Sequence, residues 1–221
     1  MKVLVIAPHP DDEVLGCGGT IKKYSEQGHD VYVCYVTKGY EPDWSSEYLK
    51  NKVVEVENAQ KILGIKKYYW LDFPSVKIDT VPQKELNDSL SELVNEIKPD
   101  VVFTSSHGDL NSDHRLIFAA TLVAVRPIPG SSIKKVLSYE VVSETEWGRN
   151  LGDFIPNYYV ELTQDDLHIK LEAMKAYSTE VKDFPHPRSL EILEALAKLR
   201  GSEVGCKAAE AFMLIREIDS I

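Results

Sequence analysis

Three absences narrow what this chain can be. Only three of its 221 residues are cysteines, Cys17, Cys34 and Cys206. Their odd number, wide spacing and lack of any CxxC pair form neither a disulfide framework nor a cysteine-based zinc site, and predict buried, reduced thiols. There is no basic block: 25 Lys and Arg stand against 35 Asp and Glu, a formal charge of −10, which argues against nucleic acid and anionic lipid as partners. No apolar run approaches the roughly 20 residues of a membrane helix. The opening Met1 to Ala7 is too short for a secretory signal and runs at once into His9, Asp11 and Asp12, so it reads as a first strand. A cytoplasmic protein without membrane or nucleic-acid partners is the expectation.

What is present is alternation. Short β-rich runs, expected as strands at 2–6, 31–37, 67–71, 100–104 and 134–140, are separated by longer amphipathic segments. The clearest helix carries Leu86, Leu90, Leu93, Val94 and Ile97 on one face and stops at Pro99. Such repeated βαβ units predict an α/β fold, a Rossmann-like, mostly parallel sheet with helices on both faces. The turn formers at 127–130 and 147–156 read as loops within one domain spanning 1–221. A late strand at 158–162 is followed by a helix capped by Thr163 and running to about Ser178. Two more helices are expected near 188–199 and 206–218. Gly16, Gly18 and Gly19 lack dinucleotide-fingerprint spacing and sit beside carboxylates, so they predict close helix packing.

The chemistry concentrates in two places. His9-Pro-Asp-Asp-Glu13 stands where the first strand ends and a helix begins, and His107 to His114 follows the fourth strand. In a doubly wound sheet of order 3-2-1-4-5, strands one and four are neighbours at the switch point, so these distant segments meet over one crevice. A catalytic zinc site needs three protein ligands and an open position. His9, Asp12 and His114 supply that set, with Asp11 beside them as a general base. Helix capping alone needs neither the histidine nor three successive acids. Glu13 either hydrogen-bonds the substrate or ligands or simply favours the helix N-terminus.

Ala7-Pro-His-Pro-Asp-Asp-Glu13 and Ser112-Asp-His-Arg115 resemble the two hallmark motifs of the PIG-L/LmbE family of zinc-dependent N-deacetylases, which hydrolyse the acetamide of N-acetylglucosaminyl substrates. Leu71-Asp-Phe-Pro74 and Gly205-xxx-Ala209-Glu-Ala-Phe212 extend the likeness. The resemblance implies zinc, or another divalent cation, held by His9, Asp12 and His114, with Asp11 as base and Asp113 orienting an imidazole. It also implies a small-molecule N-acetylated sugar as substrate and a homo-oligomer, trimer or hexamer. One position departs: many relatives carry an oxyanion-stabilising histidine where this chain has Asn111, whose amide donates a hydrogen bond but transfers no proton. Asn111 and His107 are the candidates for that duty. Arg115, His186 and Arg188 are candidates for contact with substrate or ligands, although the Phe184-Pro-His-Pro-Arg188 loop equally well introduces the next helix. Loops 39–47 and 144–157 are expected to meet the aglycone, with Trp44, Trp70 and Trp147 in the core or on the rim. His29 and His168 are given no role. Two rival classes remain, a metal-dependent phosphoesterase, disfavoured by the missing cationic cluster, and a nucleotide-binding module without zinc.

Overall fold

The computed structural model describes residues 1–219. In chain order the elements are β1 (Lys2–Ala7), α1 (Asp12–Glu26), β2 (Asp30–Lys38), α2 (Ser46–Leu63), β3 (Lys67–Pro74), α3 (Gln83–Ile97), β4 (Val101–Thr104), α4 (Ser112–Ala124), β5 (Lys135–Tyr139), β6 (Tyr158–Glu161), α5 (Gln164–Ala176), α6 (Leu190–Glu203) and β7 (Ala209–Glu217), with a 3₁₀ turn at Ile78–Thr80. The sheet order is β3-β2-β1-β4-β5-β7-β6. The first five strands are parallel and follow the expected doubly wound order, while β7 runs antiparallel to both β5 and β6.

Strand alternation explains the layering. Along β1, Val3, Val5 and Ala7 belong to one core and Leu4 and Ile6 to another, and all five are fully buried, as a parallel strand covered on both faces requires. The first core packs under α1, α2, α5 and α6; the second receives the Leu86, Leu90, Leu93, Val94 and Ile97 face of α3, together with α4. Helix termini carry the expected chemistry: Ser45, Asn111, Thr163 and Ser189 cap the starts of α2, α4, α5 and α6 with their side chains. Among the described residues no helix is long and apolar enough to cross a membrane.

The glycines of α1 do serve close packing. A Cβ on Gly16 would lie 2.2 Å from the Tyr139 ring, and one on Gly19 would lie 2.7 Å from Leu162.

Two expectations are corrected. Residues 206–218, read as a helix, instead hold a short turn and then the strand β7, Ala209–Glu217. Ala208, Ala209, Glu210, Ala211, Met213 and Leu214 favour helix intrinsically, but the slot between β5 and β6 hydrogen-bonds both edges of the segment, and tertiary pairing overrides propensity. Cys17 and Cys34 are buried as expected, yet Cys206 is only half-buried, because it follows Gly205 (φ 77°) in the turn between α6 and β7.

Candidate metal centre

β1 and β4 pair in register, Val5 opposite Phe103, so the segments leaving their C-terminal ends share one crevice. Pro8 and Pro10 flank His9 where β1 ends, and the Pro8 carbonyl is held by the Thr37 backbone N–H and hydroxyl. Asp11 then takes φ 122°, a conformation rare outside glycine, and Asp12 begins α1. From the other strand, Asn111 caps α4 and places Asp113 and His114 in its first turn.

The result is a compact triangle of donor atoms. His9 Nδ1 lies 3.2 Å from His114 Nε2 across 105 residues of sequence, and Asp12 Oδ2 lies 3.4 Å from the first and 3.3 Å from the second. Each imidazole is held on its far side by a carboxylate: His9 Nε2 is 3.1 Å from Asp113 Oδ2, and His114 Nδ1 is 2.8 Å from Asp109 Oδ2. Those partners assign the ring protons to the far nitrogens. With the rings neutral, two lone pairs and a carboxylate oxygen therefore converge on one point, an arrangement that favours positive charge there and that a bound metal ion would satisfy.

Size agrees with charge. Zinc bound tetrahedrally at about 2.0–2.1 Å separates its ligand atoms by about 3.3–3.4 Å, and the three observed edges are 3.2, 3.3 and 3.4 Å. These residues fit a zinc ion. The electrostatics point the same way. Burial opposes charge on His9, yet Asp113 and Asp12 outweigh it and lift its pKa to about 9. Burial likewise opposes charge on His114, but Asp12 and Asp109 raise it well above the usual range. Burial would raise Asp12, but the two imidazoles hold its carboxyl far below the ordinary value.

Around the triangle the supports are specific. Asp109 accepts from the Thr145 hydroxyl at 2.6 Å, so both of its oxygens are fixed. Asp113 accepts from the backbone N–H groups of Val76 (2.6 Å) and Ile78 (3.3 Å), tying the crevice to the loop after β3. Asp11 is buried; burial pushes its carboxyl well above the usual range, against the pull of the Arg188 guanidinium 3.3 Å away.

Beside His9 and Asp11 opens a cleft of about 220 Å³, walled by Trp44, Tyr48 and Trp70, with Lys38, Lys52, Glu180, Arg188 and Asn111 also on its lining. That volume lies below the roughly 300–1,000 Å³ of drug-sized ligand pockets and suits one ring-sized group. The Asn111 side-chain oxygen accepts the Asp113 N–H at 3.0 Å, which fixes the amide orientation; its Nδ2 has no hydrogen-bond partner among the described residues, and Asn111 is one of the residues lining the cleft. Arg188 reaches Asp11, Glu180 (2.9 Å) and Ser143 (2.9 Å).

Several candidates lie elsewhere. His107 stacks against Phe118, ring centroids 5.7 Å apart, and abuts Gly152; it is off the cleft wall, because its loop packs on residues 148–152. Arg115 grips the carbonyls of Asp109 and Leu110 at 2.6 and 2.5 Å, bracing the loop that carries Asp109. His186 accepts the Arg188 N–H at 3.0 Å and so shapes its own loop. Glu13 is wholly buried beneath Asp11, bonded to Tyr35 and Tyr177. His29 lies in the turn after α1, and His168 is exposed on α5. Trp147 is exposed in its loop. Sequence reasoning missed Asp109, Lys52 and Glu180. Asp109 carried a usable signal, since a metal-facing imidazole needs a carboxylate or carbonyl on its other nitrogen.

The PIG-L model, described as GlcNAc-PI de-N-acetylase, matches residues 4–125, which include both halves of the donor triangle. The chain belongs to the PIG-L family. Within the family's sequences, the uncharacterized deacetylase YaiS of Escherichia coli K12 is 30% identical over 185 residues, 80% of this chain and 90% of that protein. Among solved structures, N,N'-diacetylchitobiose deacetylase from Pyrococcus horikoshii superposes with a TM-score of 0.78 at 25% identity, covering 97% of this chain and 84% of that one. The same TM-score, at 17% identity and covering 100% and 98%, is found for GalB, the 4-carboxy-2-hydroxymuconate hydratase of Pseudomonas putida KT2440. That likeness concerns the fold alone, and it means that the reaction has to be argued from the site.

Proposed function

We propose that this PIG-L protein is a zinc-dependent hydrolase that removes the N-acetyl group from an N-acetylglucosamine-containing small molecule. The observation that carries this reading is the convergence of His9 Nδ1, His114 Nε2 and Asp12 Oδ2 within 3.4 Å of one another, with a second carboxylate, Asp11, adjacent but bonded to Arg188 instead of the triangle. The diacetylchitobiose deacetylase activity of a fold neighbour at 25% identity supports the acetamide as substrate. Zinc held by the triangle supplies Lewis acidity, polarising a carbonyl oxygen and acidifying water.

The chain's own residues do the rest. Asp11 takes the proton of the attacking water as the new C–O bond forms at the acetamide carbon. The Asn111 amide, oriented by its cap on α4, donates a hydrogen bond to the oxygen that becomes negative. Collapse breaks the C–N bond; protonated Asp11 returns its proton to the departing amine, and acetate leaves. The raised carboxyl of Asp11 suits an acid and base that works in both directions. Trp44, Tyr48 and Trp70 offer aromatic faces for a sugar ring.

The test is an acetate-release assay on N-acetylglucosamine derivatives, coupled to metal analysis of the purified protein. Acetate released with zinc, lost on chelation and regained on zinc addition is the expected result. Phosphate release from phosphoesters, or hydration of an unsaturated acid without acetate release, would overturn the reading.

A further inference from the structure

The conformation of Asp11 needs an explanation that the reaction itself does not supply. At φ 122° and ψ −26° its backbone is strained for a residue with a side chain, and such strain persists only where the surroundings over-determine it. Its side chain makes no capping bond to α1. The group that holds its peptide is Glu13, two residues on: Glu13 Oε2 accepts the Asp11 N–H at 3.1 Å. The other oxygen, Oε1, accepts the hydroxyls of Tyr35 at 2.8 Å and Tyr177 at 2.6 Å. These hydroxyls lie 3.1 Å apart, and Gln60 approaches Tyr35 at 3.4 Å. Glu13 is 0% exposed, so no surface role accounts for a carboxyl at this depth, and burying it costs stability that its hydrogen bonds only offset.

We infer that Glu13 is a positioning residue for the deacetylation base: anchored to β2 through Tyr35 and to the end of α5 through Tyr177, it fixes the strained Asp11 peptide and so aims the Asp11 carboxyl. The inference rests on Asp11 acting as the base. Three elements distant in sequence thereby set one torsion in the crevice, and the accuracy required is high, since a misplacement of about 1 Å at a reacting group costs about 10²-fold in rate.

The experiment compares wild-type protein with E13L, E13Q and D11N, each loaded with zinc, by kcat, KM and bound metal. Leucine removes the acceptor for the Asp11 N–H, and E13L is expected to lose about 10²-fold in kcat with KM and zinc content unchanged. Glutamine keeps one acceptor oxygen, and E13Q is expected to recover most of that loss. A purely structural role would instead lower the melting temperature and leave kcat per folded, metal-loaded molecule alone; that result overturns the inference. D11N separates the two levels. If D11N turns over normally, the base assignment falls; if D11N is inactive and E13L keeps wild-type kcat, the positioning role alone falls. Should E13L not fold, hydrogen exchange in the wild-type protein decides: the Asp11 amide is expected to be strongly protected, and exchange at the rate of an open loop amide overturns the proposal.

Discussion

Two groups of buried charge lie against α1, one at its start and one along its middle, and they are built on opposite principles. Along the middle, Glu210 of β7 and Lys170 of α5 form a 2.6 Å pair, both 4% exposed. Both charges there are answered from within: Glu210 accepts from the Gly19 and Thr20 N–H groups at 3.0 and 2.7 Å, and Lys170 also donates to the Leu15 carbonyl at 2.9 Å. At the start of α1, Asp12, Asp109 and Asp113 surround two imidazoles, and among the described residues no lysine or arginine pairs with any of the three. One cluster closes its own charge balance. The other is short of a cation and has a cleft beside it. Buried charge that is complete holds structure; buried charge left incomplete beside a cleft marks a candidate binding site.

This contrast is open to attack by mutation, in descending order of expected effect on turnover. D11N is expected to lower kcat by about 10²–10⁴-fold, the range for loss of a general base, with zinc still bound by stoichiometry. N111A is expected to cost up to about 10²–10³-fold in kcat, as for loss of an oxyanion donor, whereas unchanged kcat would remove Asn111 from the chemistry. D109N leaves the three ligands in place but weakens the hold on His114 Nδ1, and is expected to cost about 10–100-fold in metal affinity or activity, measured by competition with a chelator. K170M sits at the far end of the series: it leaves Glu210 buried without its cation and is expected to destabilise the fold by about 3–5 kcal/mol in denaturant titration, with kcat of the folded enzyme unchanged. A K170M variant that lost activity without losing stability would erase the distinction between the two clusters.

How much of this was legible in the sequence follows the range of the interactions. The β/α alternation implied a parallel α/β sheet, and the common doubly wound order assumed for it is the one observed; that order brings His9, Asp12 and His114 together, because a local motif at a strand end has its place set by topology. β7 was not legible: its Ala, Glu, Met and Leu residues favour helix, and the partner strands β5 and β6 that decide otherwise lie far away in sequence. Asp109 stands five residues before His114, at a spacing that belongs to no motif, and its role appears only when the loop folds back through Thr145 and Arg115. Glu180 and Lys52, 128 residues apart, meet only because α2 packs on α5. Asn111 was noticed as a departure, but its double use as cap and cleft wall required coordinates.

The three donors are not equally sheltered: the His9 side chain is 19% exposed, against 3% for Asp12 and 1% for His114. The centre thus opens on the His9 side, where the cleft forms its doorway. On the proposed function, a substrate seated in that doorway would cork it, and a metal held by the triangle is expected to exchange more slowly in the occupied protein than in the free one.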